Sequence, residues 1–195
     1  EVETVLCDLG DRGAAQAIVD AAGRRFGRLD GLAANAGFPS FKSLQEGTID
    51  DIEAAFRVNL FSFFELARAS LPMLKHSSAA RIVATGSFTA HVFRTDLRQF
   101  PISASSKGAL ETAVRSLAAT LSADGITVNC VVPGFIEKDS NTSGISTAER
   151  ETANSRIPLA RFGRPDEVAA AIEFLLSVDA GYITGQSLHV NGGLI

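Results

Sequence analysis

The sequence has no tryptophan, one tyrosine and one methionine, and phenylalanine supplies 13 of its aromatic side chains. Phenylalanine carries no hydrogen-bonding group, so it suits packing more than recognition. The formal net charge is −4 and no Lys/Arg-rich stretch occurs, which argues against nucleic acid or an anionic membrane as the partner. No apolar run reaches the ~18–20 residues that a membrane-spanning helix needs, and residues 1–4 lack the layout of a signal peptide.

Cysteine is equally scarce. Cys7 and Cys130 are the two in the chain, and each lies in an apolar run typical of a strand. We interpret both as reduced thiols buried in the core, in preference to a disulfide or a redox site. This interpretation favours a cytoplasmic protein. We predict no metal site.

Strand-like and helix-like segments alternate along the 195 residues, which predicts an α/β doubly wound fold with a mostly parallel sheet. The continuous apolar run at 126–132 is typical of a strand covered on both faces. The predicted strands are 2–7, 29–34, 81–87, 126–132 and 187–190. The predicted helices are 12–25, 49–75, 103–121, 146–156 and 165–177. Their predicted start signals are Asp11, Thr48 with Asp51, Ser146 with Glu149, and Pro165.

Residues 103–110 read Ser-Ala-Ser-Ser-Lys-Gly-Ala-Leu. This segment resembles the Tyr-x-x-x-Lys helix start of the short-chain dehydrogenase/reductase family, with Ser103 in the place of the tyrosine and Lys107 in the place of the lysine. Further matches follow in the family's order over essentially the whole chain. The resemblance is closest to the branch that contains the 3-oxoacyl-carrier-protein reductases, and it implies a Rossmann-like fold.

The family's fold opens with a strand, a Gly-rich turn and a helix that together hold a pyrophosphate, and no such cluster opens this sequence. The first predicted strand resembles the family's third. The resemblance therefore implies a single domain, residues 1–195, that lacks the family's first two strands and its N-terminal βαβ unit. We expect the natural polypeptide to continue upstream. The alternatives are that the first strand pairs elsewhere or stays unpaired.

The resemblance also implies residues that bind NAD or NADP. Lys107 would contact the nicotinamide ribose. Asp8 resembles the residue that contacts the adenine ring, although it equally fits a residue that starts the next helix. The remaining matches are the turn Asn35-Ala36-Gly37, which would line the cofactor, and Pro133, Gly134 and Ile136, of which the last would meet the nicotinamide carboxamide.

The catalytic positions implied by the resemblance are Asn59, Ser87, Ser103 and Lys107. The backbone of Asn59 would hold a water of the proton relay, and Ser87 would donate a hydrogen bond to the substrate oxygen. A serine hydroxyl is a far weaker acid than a tyrosine, whose pKa is about 10, so Ser103 could orient a substrate or pass on a proton but not act alone as the base. His91, in a loop longer than the family's, could assist, or it is a solvated loop residue.

Together these matches predict an NAD(P)-dependent oxidoreductase that interconverts a carbonyl and a secondary alcohol of a small molecule by hydride transfer. A homodimer or homotetramer is expected from the family. The alternative is a non-catalytic relative that acts as a scaffold or partner subunit, which the serine at position 103 and the missing phosphate turn both favour. Tyr182 lies in a C-terminal stretch that matches the family, and it is a poor substitute for the missing base.

Overall fold

The computed structural model describes residues 2–138 and 147–195. Within them, four strands form one sheet in the order β1-β2-β3-β4, and each neighbouring pair is parallel. The strands are β1 Gly31–Ala34, β2 Arg81–Thr85, β3 Thr127–Pro133 and β4 Ser187–Val190. The predicted parallel α/β sheet is confirmed, and these strands lie where the sequence predicted them.

Six α-helices accompany the sheet in the described part of the chain. They are α1 Ala14–Phe26, α2 Ile49–Phe56, α3 Ser62–Leu74, α4 Pro101–Leu121, α5 Thr147–Asn154 and α6 Pro165–Leu176. A π-helical turn, Arg57–Phe61, joins α2 to α3. Within the described residues, no helix is both long enough and apolar enough to cross a membrane.

Neighbouring side chains of a strand point to opposite sides of the sheet. Apolar side chains of β2 and β3 lie on both sides, and helices cover both faces. On one face, Ile82 of β2 and Val128 of β3 pack in a core that includes Val114 of α4. On the other face, Val83 and Val131 pack against α6. The strands β2 and β3 are therefore buried on both sides, which explains the continuous apolar run that the sequence shows there.

The predicted strand at 2–7 is wrong. Residues 2–8 form no strand, and their side chains are exposed, Leu6 fully so. A strand requires a neighbour that satisfies its backbone groups, and no pairing among the described residues includes this segment. The prediction that Cys7 is a buried thiol is wrong for the same reason. Cys130 is buried as predicted, both thiols are free, and burial raises the pKa of Cys130 to about 12.

The predicted helix starts have different outcomes. Asp11 does not cap α1, because the helix begins only after Gly13, whose φ is 89°, and no side-chain hydrogen bond caps its start. Thr48 caps α2 as predicted, and the Asp51 carboxylate accepts from the Thr48 backbone N–H at 2.9 Å. The capping pair Ser146 and Glu149 lies outside the described residues and side chains.

The turn that follows β3 presses closely against the end of β4. The Gly134 N–H donates to the Val190 carbonyl at 3.0 Å, and a Cβ atom at Gly134 would lie 2.8 Å from the Cα of Asn191. Only glycine permits this approach of two backbones.

Replacing Gly134 by alanine should therefore destabilise the protein by about 1–3 kcal/mol, the usual cost of overpacking. Gly108→Ala in α4 is the matched control, because its new Cβ would meet only the Ala90 Cβ at 3.9 Å, and alanine is favoured over glycine in a helix by roughly 1 kcal/mol. Urea unfolding measures both variants. Equal stabilities would contradict the close approach at Gly134.

Candidate active site

The predicted site residues gather where β1 and β2 end. Asn35-Ala36-Gly37 follows β1, and Ser87 follows β2 after one residue. The Thr85 hydroxyl donates to the Asn35 side-chain oxygen at 2.9 Å and joins the two strand ends. Ligands of open α/β sheets bind at the carboxyl ends of the strands, so this edge is the candidate site.

Asn59 lies in the π-helical turn and is buried. Its amide group donates to the Phe38 carbonyl at 3.3 Å and to the Ser106 hydroxyl at 3.0 Å, and its side-chain oxygen accepts from the Phe38 N–H at 3.3 Å. Asn59 thus holds the residue after Gly37 against α4. Single π-helical turns inside helices occur frequently at functional sites.

Lys107 reaches from α4 to the end of β2. Its ammonium donates to the Thr85 carbonyl at 2.7 Å, and the residue is only 9% exposed. Burial lowers the pKa of Lys107 below its ordinary value, while the neighbouring Cys130 and Glu111 act in the opposite direction. A Cβ atom at Gly37 would lie 3.0 Å from the Lys107 Nζ, so the ammonium lies directly beneath the turn after β1.

Ser87 begins the 3₁₀ turn Phe88–Ala90. Its hydroxyl oxygen accepts from the backbone N–H of Thr89 at 3.3 Å and from the Thr89 hydroxyl at 2.9 Å. Both contacts use the oxygen as the acceptor. The Ser87 proton can therefore be donated to a substrate oxygen, as the family resemblance implies.

Ser103 uses its hydroxyl for a structural contact. The hydroxyl accepts from the Ser40 backbone N–H at 2.7 Å and donates to the Ser40 carbonyl at 3.2 Å, and Ser103 is only 4% exposed. The loop that follows Gly37 is thereby fastened to the start of α4. In this arrangement the only proton of the Ser103 hydroxyl is directed at a backbone carbonyl and not at a substrate. A catalytic role of Ser103 stays a prediction.

The remaining predicted cofactor residues lie in two other places. Asp8 is exposed, and its carboxylate accepts from the Gly10 N–H at 2.7 Å, in the turn before α1. Pro133 ends β3, Gly134 follows it, and Ile136 pairs with Gly163. This second segment approaches the candidate site, since the Phe135 ring lies 4.5 Å from the ring of Phe88, the residue after Ser87.

Ser40, Thr85 and Glu111 were not identified from the sequence. Ser40 bonds Ser103, and Thr85 bonds Lys107, through backbone groups, which carry no sequence signal. Glu111 could have been found, because Ser103, Lys107 and Glu111 recur at intervals of four along α4 and so share one helix face. Tyr182 is fully exposed, in the stretch that precedes the contact of Thr184 with the start of β3.

The described residues fit one half of a nicotinamide cofactor. The Lys107 ammonium and the side-chain-free Gly37 offer a donor and a close backbone approach, which suit a ribose next to a nicotinamide. Residues 2–138 and 147–195 contain no Gly-rich turn between a strand and a helix that would hold a pyrophosphate. Across the same residues, no group of three or more His, Cys, Asp or Glu side chains could hold a metal ion.

A parallel sheet covered by helices on both faces is the architecture of a Rossmann-like α/β fold. A family model described as enoyl-(acyl carrier protein) reductase matches residues 1–195. The chain belongs to the short-chain dehydrogenase/reductase family, and it is similar to the 3-oxoacyl-(acyl-carrier-protein) reductase branch.

Curated and solved relatives agree with this placement. An uncharacterised oxidoreductase of Bacillus subtilis, YhxC, is 36% identical over 201 residues, which cover 100% of this chain and 69% of YhxC. The 3-oxoacyl-(acyl-carrier-protein) reductase FabG of Salmonella typhimurium is 32% identical, over 97% of this chain and 76% of FabG. A blue fluorescent protein from a metagenomic library, solved with NADPH, is 32% identical with a TM-score of 0.86, over 96% of this chain and 73% of its own. The family and this relative support NAD(P) as the cofactor.

Ser103→Ala should destabilise the protein by about 1–3 kcal/mol, because it leaves the buried N–H and C=O of Ser40 without partners. Ser116→Ala, at an exposed position of the same helix, is the matched control and should change stability little. Thermal and urea unfolding of both variants test this. If Ser103→Ala had the same free energy of unfolding as the control, the contact with Ser40 would not stabilise the protein.

Proposed function

We propose that this protein is an NAD(P)-dependent oxidoreductase that interconverts a carbonyl and a secondary alcohol of a small molecule. The observation that carries the proposal is the position of the Lys107 ammonium, bonded to Thr85 at the end of β2 and lying beneath Gly37. A buried cation costs free energy unless it has partners or a ligand to bind. Its location at the edge where ligands of such sheets bind gives this charge a use.

The chain's own residues divide the work as follows. Lys107 binds the ribose next to the nicotinamide, the turn Asn35-Ala36-Gly37 lines the cofactor, and the backbone near Ile136 meets the nicotinamide carboxamide. A bound cofactor would supply or accept the hydride. The Ser87 hydroxyl donates its proton in a hydrogen bond to the substrate oxygen and so orients the carbonyl. Hydride transfer to the carbonyl carbon would leave an alkoxide that must take up a proton. Lys107, whose pKa is lowered by burial, would donate this proton from its Nζ more readily than an exposed lysine does and would regain one from solvent.

A second candidate is a non-catalytic family member that acts as a scaffold or partner subunit. The contact between the Ser103 hydroxyl and the Ser40 backbone favours it, because the position that carries the family's acid/base residue is here used for structure. Loss of a positioned acid or base typically lowers the rate by a factor on the order of 10²–10⁴. Cofactor binding and turnover separate the two candidates.

We also propose that residues 1–195 form a single domain and that the protein assembles as a homodimer or homotetramer. Apolar side chains are exposed on helical surfaces, among them Phe64 of α3 and Phe174 of α6, and an assembly would cover such side chains. Two free thiols agree with a cytoplasmic location.

The full polypeptide should bind NADH or NADPH, measured by the change in nicotinamide fluorescence on titration. Lys107→Met should weaken this binding by roughly 10- to 100-fold, because it removes a charged hydrogen-bond donor. Lys75→Met is the control, since Lys75 is exposed and pairs with Asp124. A panel of ketones then tests turnover. If neither NADH nor NADPH binds, the proposal of an oxidoreductase is wrong. If a cofactor binds but no ketone is reduced, the non-catalytic candidate is favoured.

A further inference from the structure

Glu111 is a buried carboxylate that the proposed reaction does not use. It is 2% exposed, and three hydrogen bonds reach it. The His91 Nε2 lies 2.8 and 2.9 Å from its two oxygens, and the Ser187 hydroxyl donates to one of them at 2.8 Å. Burial of a carboxylate costs free energy unless it is paired in this way. The presence of a paired carboxylate at this place therefore requires an explanation.

The carboxylate contacts both flanks of the turn that carries Ser87. On the amino side, a Cβ atom at Gly86 would lie 3.1 Å from the Glu111 Oε1 and 2.8 Å from the Cys130 Sγ. On the carboxyl side, His91 ends the same turn, and its backbone N–H donates to the Phe88 carbonyl at 2.9 Å. Ser87 lies between these two points.

Two side chains of α4 hold the segment that carries Ser87. Lys107 bonds Thr85, and Glu111, one helical turn further along α4, bonds His91. Both side chains come from a helix of 21 residues. The His91 ring also packs edge-on against the ring of His189 in β4, with 4.6 Å between the ring centroids. The residues before and after Ser87 are therefore both held by α4.

We propose that Glu111 is a positioning residue of the candidate active site, which fixes the Ser87 hydroxyl by holding residues 86–91 through His91. This proposal rests on the proposed function, since the purpose of fixing Ser87 is to orient a substrate oxygen. Misplacement of a reacting group by about 1 Å can lower a rate on the order of 100-fold. A fixed turn thus has a kinetic value beyond its stability.

Hydrogen exchange tests the anchoring without any need for activity. In His91→Ala, the amides of residues 90–92, which donate to the Ser87 and Phe88 carbonyls, should lose protection relative to the wild type. His91→Gln should recover it, because glutamine keeps an N–H donor. Ser187→Ala is the matched control. It removes another partner of Glu111 that lies outside the turn, and protection should persist.

Kinetics test the positioning. Relative to the wild type, kcat/KM for a ketone should fall by about 10- to 100-fold in His91→Ala and partly recover in His91→Gln, while NADPH affinity stays unchanged in both. Unchanged protection in His91→Ala, or an equal loss in Ser187→Ala, would overturn the proposal. If the wild type reduces no ketone, the proposed function fails, whereas the exchange comparison still decides whether Glu111 holds the turn.

Discussion

The bond between the Lys107 ammonium and the Thr85 carbonyl is the contact on which the geometry of the site depends. It joins the longest helix to the end of a central strand, and it brings a positive charge under the turn that follows β1. An ammonium in this position needs oxygen acceptors nearby, and a Cβ atom at Gly37 would lie 2.6 Å from the Asn59 Oδ1 and 3.0 Å from the Lys107 Nζ. The Asn59 side chain lies at the same point, and its contacts with Phe38 and Ser106 complete the attachment of the first strand end to α4.

Local patterns in the sequence predicted most of the architecture. The cap at Thr48 and the strand β4 depend on neighbouring residues, and both were predicted. The strand at 2–7 was not predicted correctly, because β-branched composition cannot supply a pairing partner. The same limit applies to the site: Ser103 bonds a residue 63 positions earlier, and Glu111 a serine 76 positions later. Such partners depend on tertiary structure and leave no periodic signal.

Ser103 lies at the start of α4, one helical turn before Lys107. Lys107 keeps its contact with the strand end, and the first turn of α4 gains a bond to the loop after Gly37. The Ser103 hydroxyl bonds the backbone of Ser40 and so fixes the loop after Gly37, while Glu111, on the other side of Lys107, bonds His91 and Ser187.

The π-helical turn at 57–61 has a consequence for how the chain can vary. A π-helical turn contains one residue more than an α-helical turn, and each residue rotates an α-helix by about 100°. Deletion of a single residue there would convert the π-helical turn into an α-helical one and leave the facing of α3 unchanged, so that Phe63 and Leu74 would stay in the core that they now fill. Deletion of a residue within α3 itself would instead rotate the part of the helix that follows by about 100°. A difference of one residue in length between relatives is therefore expected at 57–61, whereas natural insertions or deletions should avoid α2 and α3 even where individual substitutions are tolerated.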